Sequence, residues 1–342
     1  MRVWMSSVSI ACSRSTERVW WTSVSDHPDT LEPIKALSHA LVAQRYYIDG
    51  NSKVEIAEEL GVSRFRVARL LDEARASGTV KIEITAPTLI DAELSIALQQ
   101  RFGLQHAVVA STAGNESEDA ARTMVARVAA ATLAETLGDQ DVVGIGWGRT
   151  LNDVVSALPA LATCEAVQVV GGMPDVELWM NSVDLVRRFS ERSGGAMQTF
   201  LLPYLTDNSV IAEGLRRDPS FVRARQRFAE LTVLIAAVGS WVPPLSGLYE
   251  LLTEEERAAY LAEGAVADMF GAVFRPDGTI LSEVNAERAI GITPAEIGQV
   301  PSVIGIAAGP SKANALRAVL LSGLVTSVIT DSGVATTLLT QQ

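Results

Sequence analysis

Short, almost continuously apolar segments alternate with longer amphipathic segments after about residue 86 of this chain. The short segments are rich in Val and Ile, which favour strands. Strands that are apolar on both faces occur in parallel sheets covered by helices on both sides. The alternation therefore predicts a Rossmann-like α/β domain over residues 86–342. Its predicted strands are HAVVAS (106–111), DVVGIG (141–146), AVQVVGG (166–172), MQTFLLP (197–203), LTVLIAAVG (231–239), SVIGIAAG (302–309) and VTSVIT (325–330).

Residues 31–85 carry a different pattern, in which three helical segments precede the alternating segment TVKIEI (79–84). The second helical segment ends at Gly61, and glycine readily adopts the positive φ of a tight turn. Ser63 is a good N-cap for the third helix, which we expect to end near Ser77. Two helices joined by a three-residue turn and followed by a strand predict a winged helix-turn-helix domain.

The apolar residues of this region define an expected small core, and the remaining residues define an outward face. With the core closed, the third helix presents Ser63, Arg64, Phe65, Ala68 and Arg69 outward, with Arg66 beside them. Such residues would contact base edges and phosphates in a major groove, and Lys53 would contact a phosphate. The alternative is a charged helix face that contacts only water. The expected core positions are Ile34, Leu37, Leu41, Val42, Val54, Ile56, Ala57, Leu60, Val62, Val67 and Leu70.

Composition restricts the remaining classes of function. The formal net charge of −12 argues against wholesale coating of nucleic acid or membrane, but a local basic surface suffices for DNA. No apolar run approaches the roughly 20 residues of a membrane helix. Cys12 and Cys164 lie far apart and the three histidines form no cluster, so we expect no metal, cofactor or disulfide. We expect a cytoplasmic protein in which residues 1–30 form a disordered extension or come from a start site assigned too early.

Four longer segments resemble a known family. They are YYIDGNSKVEIAEELGVSRFRVARLLDEARASGTVKIEI, DVVGIGWGRTL, GAVADMFGAVFRPDG and IGIAAGPSKANALRAVLLSGLVTSVITDSGVATTLL. Over about residues 35–340 the chain is similar to the SorC family of bacterial sugar-responsive transcriptional regulators. The resemblance implies an effector domain with the fold of ribose-phosphate isomerase and glucosamine-phosphate deaminase. It also implies a double-stranded DNA operator, a sugar or sugar-phosphate effector, and a homodimer or homotetramer.

Ligands of open α/β sheets bind beyond the carboxyl ends of the strands, which makes the loops there candidate effector contacts. The loop GIGWGRT offers small residues and a helix start, where backbone N–H groups favour an anion. The other interpretation is an ordinary tight turn. Arginine does not readily form a Schiff base, so non-covalent binding is expected. The candidate residues of this loop are Gly146, Trp147, Gly148, Arg149 and Thr150.

Two charged residues complete the candidate effector site. Lys312, one of only four lysines in the chain, follows a predicted strand and would either bind a ligand oxygen or lie on the surface. Asp268 matches an acidic position of the family motif, where it would accept from sugar hydroxyls or cap a helix. Pro310 and Ala267 stand where the family pattern has glycine, so these two loops are expected to differ in backbone detail.

Three functions are compatible with the sequence, and the first is favoured. It is a DNA-binding regulator without catalytic residues, whose operator affinity is controlled by the effector. The second is a sugar-phosphate isomerase or deaminase-like enzyme with an accessory DNA-binding domain, in which Asp268 and Lys312 fill the roles of general base and partner acid. No histidine falls in the candidate loops, which weakens that alternative. The third is a DNA-binding protein with an empty pocket, suggested by Pro310 and Ala267.

Overall fold

The computed structural model describes residues 33–81, 89–113, 116–173, 181–281 and 287–341. The chain divides into two compact units, Met1–Thr85 and Ala86–Gln342. The expected extension over residues 1–30 lies outside the described residues. So does the second half of the expected strand at 79–84, and residues 79–81, which are described, are not in a strand.

The N-terminal unit contains three α-helices, α1 (Pro33–Ala43), α2 (Lys53–Leu60) and α3 (Arg64–Ala76), within the described residues. A π-helical turn, Gln44–Ile48, follows α1 directly. Ser52 and Glu55 form a capping box that starts α2, because each side chain satisfies a backbone N–H of the other. Gly61 ends α2 with a φ of +64°, and Ser63 accepts from the backbone N–H of Arg66 at the start of α3. The predicted turn and caps are thus confirmed.

The predicted core of this unit is correct in its centre and wrong at its edge. Val42, Ile56, Ala57, Val67, Leu70 and Leu71 are buried together, with Leu60 and Val62 packed against them. Val54, Leu37 and Ile34 were expected to face inward but are exposed, Val54 by 49 % and Leu37 by 58 %. Three short helices enclose a narrow core, so positions at the margin of each apolar stripe remain in solvent.

A seven-stranded sheet forms the centre of the C-terminal unit, and its neighbouring strands pair in parallel. Every strand predicted for this region falls within it, although the segment 197–203 contributes only two residues. Its strands are β1 (His106–Ala110), β2 (Val142–Ile145), β3 (Glu165–Gln168), β4 (Met197–Gln198), β5 (Val233–Ala237), β11 (Ser302–Ile306) and β12 (Ser327–Asp331). Their order in the sheet is β1-β12-β11-β5-β2-β3-β4.

Helices cover both faces of the sheet. Successive strand residues point to opposite faces, so Leu234 and Ala236 join one apolar cluster while Ile235 joins the other. The first cluster includes residues of the helices Ala92–Phe102, Ala313–Leu321 and Ser332–Thr340, and the second includes residues of the helices Glu118–Thr136, Arg149–Ala157 and Ser182–Ser193. The helices are α4 (Ala92–Phe102), α5 (Glu118–Thr136), α6 (Arg149–Ala157), α7 (Ser182–Ser193), α8 (Ser209–Leu215), α9 (Pro219–Gln226), α10 (Gly247–Leu251), α11 (Glu254–Ala262), α12 (Pro294–Ile297), α13 (Ala313–Leu321) and α14 (Ser332–Thr340). Shorter 3-10 turns lie at Arg227–Glu230 and Pro310–Lys312.

The strand order places a topological switch between β2 and β5. The chain continues from β2 through β3 to β4 on one side, and from β5 to β11 and β12 on the other. Loops that leave two adjacent strands in opposite directions open a crevice at the carboxyl edge of the sheet.

A second, antiparallel sheet was not predicted. Its strands are β6 (Gly239–Trp241), β7 (Pro244–Leu245), β8 (Ala267–Met269), β9 (Ala272–Phe274) and β10 (Ile280–Leu281), in the order β10-β9-β8-β6-β7. Asp268, expected in a loop or at a helix cap, therefore lies in a central strand. The strands are two or three residues long, too short for an alternating pattern to stand out in the sequence.

Candidate functional site

A cavity of about 300 Å³ lies at the carboxyl ends of β2, β5 and β11. This is the edge at which the strand order switches, and such crevices are the usual ligand sites of open α/β sheets. Residues of α5, of the second sheet and of the loop before α10 close it from the other sides. The lining residues are Glu118, Asp119, Arg122, Trp147, Gly148, Arg149, Thr150, Val170, Met173, Tyr204, Ala237, Val238, Gly239, Leu245, Ser246, Gly247, Glu250, Asp268, Phe270, Ala308 and Lys312.

Lys312 extends into the cavity from the turn that precedes α13. Its Nζ donates to the carbonyl oxygens of Val238 at 2.9 Å and Leu245 at 2.7 Å. An ammonium has three donors, so one donor remains for a ligand. Burial lowers the pKa of Lys312 to about 8, with Arg149 acting in the same direction and Asp268 in the opposite one.

Asp268 is the buried carboxylate of the cavity, with only 6 % of its surface exposed. Trp241 donates its indole N–H to Asp268 Oδ1 at 2.9 Å, and the Ser246 hydroxyl is a second donor. Burial raises the pKa of Asp268, although both hydrogen bonds and the charge of Lys312 oppose the rise. Asp268 and Lys312 therefore stabilise each other's charged form inside the cavity, where charge interactions are strong.

The start of α6 forms another part of the cavity wall. Gly148 precedes α6 with a φ of +133°, a backbone conformation that favours glycine. The exposed Arg149 and half-buried Thr150 follow it. Backbone N–H groups in a first helical turn have no partner within the helix and favour an anion.

The loop after β11 offers fewer backbone donors than the loop before α6. The N–H of Gly309 donates to Asp331 Oδ2 at 2.8 Å, and Pro310 has no N–H. Asp331 also caps α14 by accepting from Val334. Of this loop, Ala308 and Lys312 line the cavity, so its polar side chain there is that of Lys312.

Aromatic side chains form an apolar part of the cavity wall. The rings of Trp147 and Tyr204 meet edge to face with centroids 5.3 Å apart. Phe270 completes the wall from the turn between β8 and β9, where it adopts a φ of +50°. A bulky residue with positive φ is strained, and such strain is commonly retained at binding sites.

Two glycines make the close packing of these rings possible. A Cβ on Gly247 would lie 2.5 Å from Trp147 Cζ3, and one on Gly146 would lie 2.6 Å from Phe270 Cε1. The indole N–H of Trp147 is buried and has no hydrogen-bond partner among the described residues. An unsatisfied buried donor costs about 1–3 kcal/mol, so an acceptor on a ligand would recover that energy.

The cavity brings together most of the predicted effector residues, which are Trp147, Gly148, Arg149, Thr150, Asp268 and Lys312. Gly146 is not among the lining residues, because it makes room for Phe270 instead.

Glu118, Asp119 and Arg122 of α5 also line the cavity and were not predicted. Arg122 bridges Asp119 at 2.6 Å and Asp153 of α6 at 2.7 Å. Their spacing in the sequence is that of ordinary surface charges on a helix. Only the packing of α5 against α6, with Glu118 beside Gly309 of the loop after β11, reveals their position.

The described residues contain no group of three or more His, Cys, Asp or Glu side chains that could hold a metal ion. Within the same part of the chain, no helix is long and apolar enough to cross a membrane.

The surface of α3 is the second candidate site. Ser63, Arg64, Phe65 and Arg69 are exposed as predicted, whereas Arg66 and Ala68 are half-buried. Phe65 is 84 % exposed, so it is not packed in the core of this chain. Lys53 is the first residue of α2. Its Nζ lies over the ring of Tyr46, 5.6 Å from the ring centroid.

The arginines of α3 differ in their partners. Arg64 and Arg66 have no ion-pair partner in the described part of the chain, whereas Arg75 pairs with Asp72 at 2.5 Å. Arg69 Nε donates to Glu73 Oε1 at 2.8 Å, and Glu73 Oε2 lies 3.1 Å from His39 Nε2 of α1. Burial acts to raise the pKa of Glu73, but the hydrogen bonds from His39 and Arg69 outweigh it and the pKa falls.

These features define a two-unit protein, with a helical unit that carries an arginine-rich surface and an α/β ligand-binding unit. The family model described as "Putative sugar-binding domain" matches residues 87–340. The chain therefore belongs to this sugar-binding domain family, and its resemblance to the SorC regulators is confirmed.

Relatives of known name align along most of their own length. Transcriptional regulator LsrR of Klebsiella pneumoniae is 26 % identical over 300 residues, which cover 86 % of this chain and 90 % of that protein. The deoxyribonucleoside regulator of Bacillus subtilis is 26 % identical over 296 residues, covering 86 % and 94 %. The crystal structure of the full-length sorbitol operon regulator SorC from Klebsiella pneumoniae matches with a TM-score of 0.69 at 25 % identity, covering 90 % of this chain and 99 % of that one.

Proposed function

We propose that this protein is a DNA-binding transcriptional regulator whose operator affinity is controlled by a sugar or sugar phosphate. The observation that carries the proposal is the cavity at the topological switch of the sheet, which the buried Asp268 and the half-buried Lys312 both line, in a chain that also carries the exposed arginines of α3. The names of its relatives support the same assignment. A regulator of this kind acts on chromosomal DNA in the cytoplasm.

DNA recognition is assigned to the N-terminal unit, as a winged helix-turn-helix with α3 in the major groove. Arg64 and Arg69 would contact guanine or phosphate, and the exposed ring of Phe65 would contact a thymine methyl. Arg66, Ser63 and Ala68 flank these contacts, and Lys53 would contact a phosphate from the start of α2.

Effector binding is assigned to the cavity of the C-terminal unit, whose fold we propose to be of the ribose-phosphate isomerase type. Asp268 would accept from sugar hydroxyls, and the remaining donor of Lys312 would contact a ligand oxygen. The first turn of α6, with Arg149 and Thr150, would hold an anionic group such as a phosphate. The aromatic wall of Trp147, Tyr204 and Phe270 would cover the apolar face of the ligand.

Control of DNA binding requires that the ligand alter the packing of subunits. A homodimer or homotetramer would place two copies of α3 on the two halves of an operator, and their spacing would set the affinity. Helix α6 begins at the cavity and is tied to α5 by Arg122 and to α7 by Arg188. Movement of α6 would thus reach two neighbouring helices, and such coupling amounts to about 1–3 kcal/mol.

Binding rather than catalysis is proposed for Asp268 and Lys312. Two of the three ammonium donors of Lys312 are engaged by backbone carbonyls, and Asp268 accepts from Trp241. These contacts hold the two charges in place, which suits recognition of a ligand.

A thermal-shift screen tests the effector assignment. Full-length protein is screened against matched pairs of free and phosphorylated sugars and polyols. A ligand at 100 times its Kd stabilises a protein by about 2.7 kcal/mol. The shift should be lost in Lys312→Ala and kept in Lys81→Ala, which removes an exposed lysine outside the cavity.

The DNA assignment is tested on the same protein. A duplex is enriched from a random-sequence pool by the wild-type chain, and its affinity is measured with and without each compound found in the screen. A change in affinity links the two sites. If no compound shifts the melting temperature or the DNA affinity, the cavity does not bind a sugar effector and the effector assignment is wrong.

A further inference from the structure

Glu73 places a negative charge on the helix that is proposed to face DNA, and the negative charge of DNA disfavours it there. It lies four residues after Arg69 on α3, and therefore on the same side of the helix as Arg69 and Phe65. A carboxylate near a DNA-facing surface repels phosphates. The contacts of Glu73 provide a reason for its presence there.

Both carboxylate oxygens of Glu73 are engaged. Oε1 accepts from Arg69 Nε at 2.8 Å, and Oε2 lies 3.1 Å from His39 Nε2. His39 is only 4 % exposed and is anchored in α1. An ionised carboxylate only accepts hydrogen bonds, so His39 Nε2 carries the hydrogen. Arg69 is thereby tied, through Glu73, to a second helix.

The bond to Nε leaves the two terminal nitrogens of Arg69 for another partner. Those nitrogens make the bidentate contact by which arginine recognises guanine. Arg64 and Arg66 have no ion-pair partner among the residues that the structure describes, so their side chains are not held in this way. A long side chain that is fixed before binding loses less conformational entropy on binding.

We propose that Glu73 is the positioning residue for Arg69, making it a sequence-specific contact rather than a general phosphate contact. The inference rests on the proposed DNA-binding function and deepens it. The contact with His39 holds the carboxylate of Glu73 in place, and that carboxylate orients the guanidinium of Arg69. Arg69 then contacts a base edge. The partner of this surface is a duplex with a guanine within reach of Arg69.

The test compares the affinity for two duplexes at one salt concentration, using the full-length chain and fluorescence anisotropy. The first duplex is the one enriched by the wild-type protein from a random pool, and the second is a shuffled version of it. Glu73→Gln should lower the ratio of the two affinities by at least about fivefold, the lower end of the value of a bidentate base contact. Its affinity for the shuffled duplex should not fall.

Asp72→Asn is the matched control. It removes a carboxylate from the neighbouring position of α3, where Asp72 pairs with Arg75, and so changes the helix charge by the same amount. Both variants should bind the shuffled duplex slightly more tightly, but Asp72→Asn should keep the ratio. Equal changes in the ratio would overturn the proposal, because charge alone would then explain the result.

A second comparison separates positioning from folding. In an Arg69→Ala background, Glu73→Gln should have no further effect on the ratio, and a persistent effect would contradict the proposal. If Glu73→Gln fails to fold, Arg69→Lys provides the alternative test. This variant keeps the positive charge but loses the planar guanidinium that makes a bidentate contact, so it should lower the ratio of affinities similarly. An unchanged ratio in Arg69→Lys would overturn the proposal. A wild-type protein that enriches no sequence would instead refute the DNA-binding function itself.

Discussion

Trp241 and Asp268 form a buried pair in which the indole N–H donates to the carboxylate across 2.9 Å. Their strands, β6 and β8, are neighbours in the antiparallel sheet, so two residues far apart in sequence share one site. Trp241 does not line the cavity. It fixes the orientation of a carboxylate that does.

Trp241→Phe should destabilise the fold and weaken effector binding. Loss of the donor leaves a buried acceptor with fewer partners, at a cost of about 1–3 kcal/mol in the free energy of unfolding. The smaller ring also loses packing against Tyr249 and Tyr260. Urea unfolding measures both effects together. A double-mutant cycle with Asp268→Asn isolates the hydrogen bond, and additive free energies would show that the pair contributes nothing.

Gly239→Ala should reduce effector affinity by displacing Asp268. A Cβ at this position would lie 2.2 Å from Asp268 Oδ1, so the carboxylate must move. Because a misplaced polar group forfeits its contact, we expect a loss of at least about tenfold in affinity, or roughly 1.4 kcal/mol. Isothermal titration calorimetry with the best compound from the screen measures it. Gly138→Ala is the control, because its Cβ would meet only Asp141 Oδ2 at 3.9 Å. An unchanged affinity in Gly239→Ala would show that Asp268 does not bind the ligand.

Effector affinity should fall as the pH rises through the pKa of Lys312. Burial lowers this pKa to about 8, so the ammonium is lost above that pH in the free protein. A ligand that requires the ammonium then loses about tenfold in affinity per pH unit. A phosphate group completes its own ionisation near pH 6 and adds no change there. Affinities measured on both sides of pH 8 provide the test, and a flat profile would remove Lys312 from the contacts.

The same pKa predicts an effect of opposite sign on folding stability. Between about 8 and the ordinary lysine value of about 10.4, Lys312 is neutral in the folded chain and protonated in the unfolded chain. The unfolded state then binds more protons, so this residue's contribution to stability rises with pH. Urea unfolding at several pH values should show the rise in wild type. Lys312→Met should lack it, and an identical profile in the variant would contradict the shift.

Arg64→Ala should weaken DNA binding without altering the fold. Arg64 is exposed at the first position of α3, and a lost phosphate contact lowers the slope of log K against log salt by about one. A lost base contact would instead reduce discrimination by about 1–3 kcal/mol. A salt titration of operator affinity distinguishes the two. Arg217→Ala, which removes an exposed arginine shortly after α8, should change neither quantity.

Local signals made the N-terminal unit and the seven parallel strands predictable. Gly61, Ser63 and the apolar residues around Ile56 act within one or two helical turns, so their roles are visible in a short stretch of sequence. The strands were predictable because burial on both faces demands continuous apolar residues. The prediction that Val54 and Leu37 are buried was wrong. A periodic apolar stripe shows which side of a helix faces inward, but it does not show how much of that side the neighbouring helices cover.

The sequence by itself determined the two-part organisation, the turn before α3 and the loop residues that follow β2 and β11. The tertiary structure alone decided which charges meet. Asp268 lies in a strand beside Trp241 rather than in a loop, and Lys312 donates to two backbone carbonyls. Arg122 lines the cavity, and His39 contacts Glu73. These pairings depend on contacts between segments separated by many residues. The stability of these pairings depends on burial and on the distance between the two groups. Neither property produces a periodic pattern in the sequence.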